Sequence, residues 1–491
     1  MTAVADATLL DDRWAGRVFA GEWVAPASGT LIDVIEPATG TSLGAVGLAG
    51  PDDVSRAASA AAEAQRAWAD VPPRERAELF RRAAAAFERD AEPIARHIAR
   101  ETGAILPKGQ HEVREAVQIL HLAAALPMQP QGHLLPSPPG RLSMARRTPL
   151  GVVGVISPFN FPLILSIRAV APALAVGNAV VLKPDAQTPV AGGFVIARAF
   201  EEAGLPPGLL HVLPGEADAG QALCADPDVA MVSFTGSPGV GRRVGELAGR
   251  HLKKVSLELG GTNALVVLDD ADLDLAASNA AWGAYMHQGQ ICMASNRILV
   301  HESVAGGLRD RLVAKASHLP VGDPATEDVA LGPLINERQR DRVHGIVRSS
   351  VDAGARLDAG GTYDRLFYRP TVLSDVRPGM RVFDEEVFGP VASLVTVSSD
   401  DEAVSLANRT TGSLSAAIIT PSVTRALALG ARLRCGMVHV NDQTVNDECV
   451  NPFGGPGTAG NGTSVGALAD ADLYTQWQWV TVKGAPPEYP F

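Results

Sequence analysis

The sequence predicts an α/β protein whose parallel strands are covered by helices on both faces. Three observations lead there. Beyond Pro149, short β-rich runs alternate with helix-sized segments, the pattern of βαβ units. At 491 residues the chain is too long for one small core, and its length suggests about two to four domains. With 46% apolar and 20% charged residues it has an ordinary globular composition.

Taken in order, the first 50 residues read as short strands and turns. L-I-D-V-I-E-P-A-T-G-T-S-L-G-A-V suggests two strands joined by a Pro/Gly turn. Three helical stretches are expected next. Those from Val54 and Arg74 are rich in strong helix formers, and the one from Glu112 carries apolar residues at helical spacing. Q-P-Q-G-H-L-L-P-S-P-P-G (129–140) is a Pro-rich break that marks a boundary or an excursion. The β-rich runs 151–156, 179–183, 209–213, 230–235 and 254–259 follow, mostly separated by helix-sized segments. A second alternating series runs from A-L-V-V-L (264–268) to M-V-H-V-N (437–441). The chain closes with W-Q-W-V-T-V-K (477–483), a strand set apart from both series.

A net charge of −12 disfavours nucleic acid and anionic membrane as partners. Cys224, Cys292, Cys435 and Cys449 are far apart, with no C-x-x-C pair, which fits free thiols in a reducing compartment. The first residues lack a basic region ahead of an apolar run, and no segment has 18 unbroken apolar residues. A cytoplasmic protein is the expectation.

G-Q-I-C-M-A-S-N-R-I (289–298) sets Cys292 between a Gly-Gln pair and small or polar residues. A lone cysteine is more often a small buried hydrophobe than a nucleophile, so its surroundings decide. S-P-F-N-F-P (157–162) follows a strand directly, where open α/β sheets bind ligands, and Asn160 could donate there to a developing oxyanion. The bland alternative is a turn asparagine between prolines. Glu258, in K-V-S-L-E-L-G-G, is an acid in an apolar strand: either a buried ion pair or a general base with a raised pKa. Lys183 ends V-V-L-K-P, where most lysines are merely solvated. F-T-G-S-P-G-V-G (234–241) is a glycine-rich turn between a strand and a helix, able to bring N–H groups to a phosphate, although it lacks the G-x-G-x-x-G spacing. F-D-E-E-V-F-G-P (383–390) offers a carboxylate and an aromatic ring, or simply a charged loop.

Together these stretches resemble, in order and over nearly the whole chain, the aldehyde dehydrogenase superfamily. The resemblance is closest to benzaldehyde-type members, through H-Q-G-Q-I-C-M (287–293), K-P-D-A-Q-T-P (183–189) and P-F-G-G-P-G-T-A-G (452–460). It implies an aldehyde dehydrogenase-like α/β fold: a Rossmann-like cofactor domain (1–130 and 150–258), an α/β catalytic domain (259–470) and a small β oligomerisation extension (131–149 and 471–491). It implies Cys292 as nucleophile, Glu258 as general base and Asn160 as oxyanion donor. Lys183 and Glu386 would hold cofactor ribose hydroxyls, Gly236 and Ser237 would lie by the pyrophosphate, and Phe388 beside the nicotinamide. Ser157, Pro158, Phe159, Asp185, Ala186, Gly241, Leu259 and Gly260 would complete the cofactor cleft. Phe161, Leu165, Arg168, Ile291 and Met293 would shape the aldehyde channel. The implied reaction is oxidation of an aldehyde, here an aromatic one, to the acid through a thioacyl-enzyme, in a homodimer or homotetramer.

The chain also departs from the family. Many NAD-selective relatives carry Glu where this chain has Ala186, with Asp185 just before it; the expectation is NAD, with NADP use left open. Many relatives also carry Lys and Glu where Ala169 and Ser464 stand, so Glu258 is expected to exchange its proton directly with water. Arg168 could orient a ring substituent or a carboxylate product, or form a salt bridge to a neighbouring helix. Cys449 could border the channel. Competing readings are a cofactor-independent cysteine hydrolase or acyltransferase, and a dehydrogenase of aliphatic or semialdehyde substrates. G-T-S-L-G and G-T-S-V-G lack the strand–turn–helix context of a serine nucleophile, and the histidines form no metal motif.

Overall fold

The computed structural model describes residues 13–410 and 412–491. The first 12 positions of the expected cofactor domain lie outside the described residues. Two seven-stranded sheets dominate. In the first, Lys254–Leu259, Val229–Gly236, Val152–Ile156, Ala179–Lys183 and Leu210–Val212 lie side by side in that order, all parallel. The short strands Val18–Phe19 and Trp23–Val24 extend it in antiparallel fashion. The parallel run is buried on both faces, as continuous sequences such as Val-Val-Gly-Val-Ile require.

The order of these strands creates the site. Val152–Ile156 and Val229–Gly236 are neighbours, yet the chain leaves them in opposite directions across the sheet. Their carboxyl ends therefore bound a crevice at a topological switch point. Ser157–Asn160 emerge from one strand and Gly236–Ser237 from the other.

The second sheet runs Arg356–Ala359, Thr371–Ser374, Val391–Val397, Arg297–His301, Ala264–Val267, Ser413–Ile419 and Cys435–Val440. Only the first pair is antiparallel. Successive side chains of Arg297–His301 feed opposite cores: Leu299 packs with Val343 and Phe383, while Ile298 and Val300 pack with Leu312.

A three-stranded sheet stands apart. Thr475–Lys483 pairs antiparallel with Arg141–Pro149 along its whole length, and Gly132–Leu134 covers the other edge. The Pro-rich break is thus an excursion that meets the end of the chain. The hairpin expected near the start is present as Leu31–Ile35 and Ser42–Gly47.

One helix escaped the sequence reading. Four helices, not three, precede the excursion: Pro51–Ala69, Pro73–Arg89, Ala91–Thr102 and Leu106–Ala125. Pro93 masks the third, but it sits in the first turn, where its missing N–H costs nothing. Among the described residues no helix is long and apolar enough to cross a membrane.

Candidate active site

A cavity of about 1710 Å³ opens at the carboxyl ends of the first sheet and reaches the segments that lead into strands of the second, with Cys292, Glu386 and Phe388. Ser157, Pro158, Phe159 and Asn160 form part of its wall. Asn160 is buried and donates its side-chain amide to the carbonyl of Gln290 at 3.0 Å. Lys108 holds the same residue from behind, donating to the Asn160 carbonyl at 2.7 Å. Lys108 is itself paired with Glu112 at 2.5 Å. The other Glu112 oxygen accepts from Leu163 and Ile164 N–H in the first turn of Pro162–Ala175, at 3.0 and 3.2 Å. A carboxylate at a helix N-terminus meets both orphan donors and the helix dipole there.

Cys292 arrives on a contorted segment. His287, Gln288 and Gly289 all have positive φ, at 46°, 56° and 66°. Two of these are not glycine, a strained arrangement that persists only where surrounding structure enforces it. A Cβ on Gly289 would lie 2.2 Å from the Gly389 carbonyl oxygen, so no side chain fits. Gln290 accepts from the Ile335 N–H at 3.1 Å. Asn263 donates to the carbonyls of Cys292 and Ala294 at 2.7 and 3.2 Å and accepts from Ser415 N–H at 3.0 Å. The nucleophile is fixed at its backbone on both sides. Burial pushes its thiol well above the ordinary range, and Glu386, Asp447 and Glu258 push the same way, with Arg168 opposing. Both influences favour the thiol over the thiolate.

Glu258 is the penultimate residue of Lys254–Leu259 and faces the same cavity. Its two carboxylate oxygens are buried and find no hydrogen-bond partner among the described residues. Burial raises its pKa well above the carboxylate range; Arg168 opposes this and Asp447 adds to it. That environment suits a base that must take and release a proton near neutrality.

The rest of the cavity suits a dinucleotide. Lys183, Asp185 and Ala186 line one end. Burial lowers the pKa of Lys183, whose amine donates to the Gly215 carbonyl at 2.5 Å. Asp185 is engaged locally, accepting from the Gln187 N–H at 2.9 Å. Gly236 and Ser237 lie on the wall, and Ser237 is the N-cap position of Pro238–Arg250, whose positive dipole end and Gly239 N–H face an anion there. Leu259, Gly260, Glu386 and Phe388 close the other side. A Cβ on Gly260 would fall 2.2 Å from a Glu386 oxygen, so the missing side chain is what admits that carboxylate. Burial pushes Glu386 up to about 7, and one of its oxygens has no partner among the described residues, ready for a hydroxyl donor. Phe388, at φ 54°, meets Phe159 edge-on at 5.9 Å. Gly241 stands elsewhere: a Cβ there would sit 2.4 Å from Leu259, and the residue packs its helix on the sheet without lining the cavity.

The residues expected in the aldehyde channel divide. Leu165 lines the main cavity. Phe161 packs edge-on to His287 at 5.4 Å, with the Lys108 ammonium 4.5 Å from its ring. Ile291 and Met293 are buried in the first core and do not line the main cavity. Arg168 is ion-paired with Asp447 and stacked 4.7 Å from the Phe453 ring, behind Glu258. Cys449 is half-buried, its thiol pushed up to about 11 by burial. Lys108, Glu112, Asn263 and Asp447 were not singled out from sequence. Only Asn263 left a signal there, a lone amide between E-L-G-G and an apolar strand.

Comparison with known proteins agrees with this geometry. The model of the aldehyde dehydrogenase family matches residues 23–480. The chain is 55% identical over 482 residues to a vanillin dehydrogenase from an Amycolatopsis strain, covering 98% of this chain and 99% of that one. It is 49% identical to an NAD(+) benzaldehyde dehydrogenase from Pseudomonas putida, covering 97% and 98%. The crystal structure of betaine aldehyde dehydrogenase from Staphylococcus aureus in complex with NAD+ superposes with a TM-score of 0.96 at 28% identity, covering 99% of each chain. Matched along most of its length by sequence and by fold, the chain belongs to the aldehyde dehydrogenase family.

Proposed function

We propose that the protein oxidises an aromatic aldehyde, of the benzaldehyde or vanillin type, to its carboxylic acid. The observation that carries this is one cavity holding a thiol, an unpaired buried carboxylate, an amide donor and a dinucleotide cradle. The names of the similar vanillin and benzaldehyde dehydrogenases support the aromatic class.

In this reading Cys292 first loses its thiol proton to solvent, and the thiolate sulfur then bonds to the aldehyde carbon. Asn160 has a second amide N–H, beyond the one given to Gln290, for the oxygen that becomes negative. A bound nicotinamide dinucleotide supplies the acceptor for the hydride. Lys183, the first turn of Pro238–Arg250 and Glu386 are placed to hold its hydroxyls and phosphates. Glu258 then takes a proton from a water whose oxygen attacks the thioester carbon. The C–S bond breaks, the sulfur leaves as thiolate and the acid departs. NAD is the favoured cofactor, with NADP admitted by Ala186 in place of a repelling carboxylate.

The sheet membership supports a cofactor domain from 1–130 and 150–258 and a catalytic domain from 259–470. Exposed Leu134, Trp477 and Trp479 on the separate three-stranded sheet support an oligomerisation extension of 131–149 and 471–491 in a homodimer or homotetramer. Free cysteines support a cytoplasmic setting.

The test is direct. Protein, benzaldehyde and NAD are mixed without coenzyme A and NADH absorbance is followed. NADH forms with the wild type and not with Cys292→Ala; equal rates in the two would end the proposal.

A further inference from the structure

Behind Glu258 lies a second, much smaller space of about 10 Å³. Val155, Leu165, Ala169, Phe453 and Val465 give it apolar walls, and Arg168, Ser233, Thr235 and Glu258 give it polar ones. Leu165, Thr235, Glu258 and Phe453 also line the main cavity, so they form the partition between the two spaces. Arg168 is on the far side of that partition.

The polar atoms around this space are incompletely paired. Arg168 spends Nη2 on Asp447, while its buried Nε and Nη1 have no partner among the described residues. Both oxygens of Glu258 are in the same condition. Buried donors and acceptors left without partners are costly, and a space of this size is about the smallest that holds a water. Donors on one side and acceptors on the other give such a water its hydrogen bonds.

We infer that this space is a one-water site joining the Arg168 guanidinium to the Glu258 carboxylate, and that Arg168, anchored by Asp447, is a positioning residue for the base. The inference rests on Glu258 being that base. It assigns Arg168 to hydrolysis of the thioester and not to recognition of the aldehyde ring.

The surrounding charges agree. Asp447, in the loop after Cys435–Val440, and Asp470, on Asp470–Leu473, both face Arg168. Burial works against the guanidinium, but Asp447, Glu258 and Asp470 overcome it and keep it charged. The other ionisable groups near the pair are Tyr474, Cys292 and Cys449, with Glu386 beyond Cys292 and Glu115 beyond Cys449. Arg168 is the cation that both Glu258 and Cys292 feel. Its position next to Ala169 also gives it a place where many relatives carry lysine one residue later.

The experiment uses p-nitrophenyl acetate, which acylates the cysteine without a dinucleotide. The nitrophenolate burst counts acylated Cys292, and the steady rate reports hydrolysis. Arg168→Met is expected to keep the burst amplitude and the aldehyde KM. Its hydrolysis should slow about tenfold at neutral pH, with the acid limb moved up by about one pH unit, because loss of the cation favours protonated Glu258. Arg168→Lys restores most of the profile, and Arg168→Gln, which equally lacks the cation, moves the acid limb in the same direction and substitutes for Arg168→Met if that variant does not fold. A high-resolution crystal structure shows one water between Arg168 and Glu258. An unmoved acid limb, or a raised aldehyde KM with normal hydrolysis, overturns the inference. Glu258→Gln is run alongside: normal hydrolysis in that variant refutes the base itself, a separate failure.

Discussion

Asn160 gives its side-chain amide to the carbonyl of Gln290 at 3.0 Å, tying the loop that leaves the first sheet to the segment that delivers Cys292 from the second. The oxyanion donor and the nucleophile are thereby set relative to one another before any ligand arrives. Lys108 fixes this junction from behind through the Asn160 carbonyl.

Lys108→Met should therefore do two things. It strips Glu112 of its buried counter-charge, which costs about 3 kcal/mol or more of stability, and it loosens the Asn160 loop, which lowers kcat. The double variant Lys108→Met/Glu112→Gln should recover much of the melting temperature but not kcat. Thermal unfolding and steady-state rates check both.

Cys292 should be slow to alkylate in the absence of dinucleotide. Its thiol is held above its ordinary value by burial and by Glu386, Asp447 and Glu258. The reactive thiolate is scarce at neutral pH, and the iodoacetamide rate should climb steadily through pH 9, with no plateau. A rate already maximal near neutrality would contradict this.

Glu386 gives stability a definite pH dependence. Its pKa rises from 4.5 to about 7 on folding, so between those values the folded chain keeps a proton the unfolded chain has released. That contribution is complete below about pH 4.5 and is lost as pH rises through about 7. Glu386→Gln, neutral throughout, should gain up to about 3 kcal/mol on the wild type at pH 8 and little at pH 4.5, while losing dinucleotide affinity. Melting curves at the two pH values read this out.

Gly260→Ala and Gly241→Ala separate binding from packing. The first places a Cβ 2.2 Å from a Glu386 oxygen and should raise the dinucleotide Kd at least about tenfold, ~1.4 kcal/mol, with the fold kept. The second places a Cβ 2.4 Å from Leu259 and should cost about 1–3 kcal/mol of stability. Calorimetry and thermal unfolding on both variants distinguish the two.

Ala186→Glu should sharpen the cofactor choice. A carboxylate there repels a 2′-phosphate, and the kcat/KM for NADP should fall about tenfold or more with that for NAD nearly unchanged. Equal losses with the two dinucleotides would remove Ala186 from the discriminating set.

The parts of this protein legible in its sequence are those where one residue type has few alternative uses. Val152–Ile156 and Ala179–Lys183 read as parallel strands because short, mostly apolar, Val-rich runs alternating with helix-sized segments suit little else. The local settings of Cys292, Glu258 and Asn160 left bland alternatives open, and their roles became legible only through the resemblance of the stretches taken together. What stayed hidden depends on distant partners. Lys108 and Glu112 look like any helical i,i+4 surface pair, and only the fold shows them buried beneath Asn160. Arg168 likewise left two readings open, and the Asp447 that decides its orientation is 279 residues away. Ala91–Thr102 was missed because a proline's cost depends on which turn it occupies.

The ladder between Arg141–Pro149 and Thr475–Lys483 has a consequence for biosynthesis. Arg146 and its cross-strand partner Gln478 are 332 positions apart. The earlier strand leaves the ribosome on the order of tens of seconds before its mate is translated. Until then only Gly132–Leu134 covers it, and the opposite edge lies open. Its three arginines, Arg141, Arg146 and Arg147, supply the charge that keeps an unfinished β-edge from recruiting a neighbouring nascent chain.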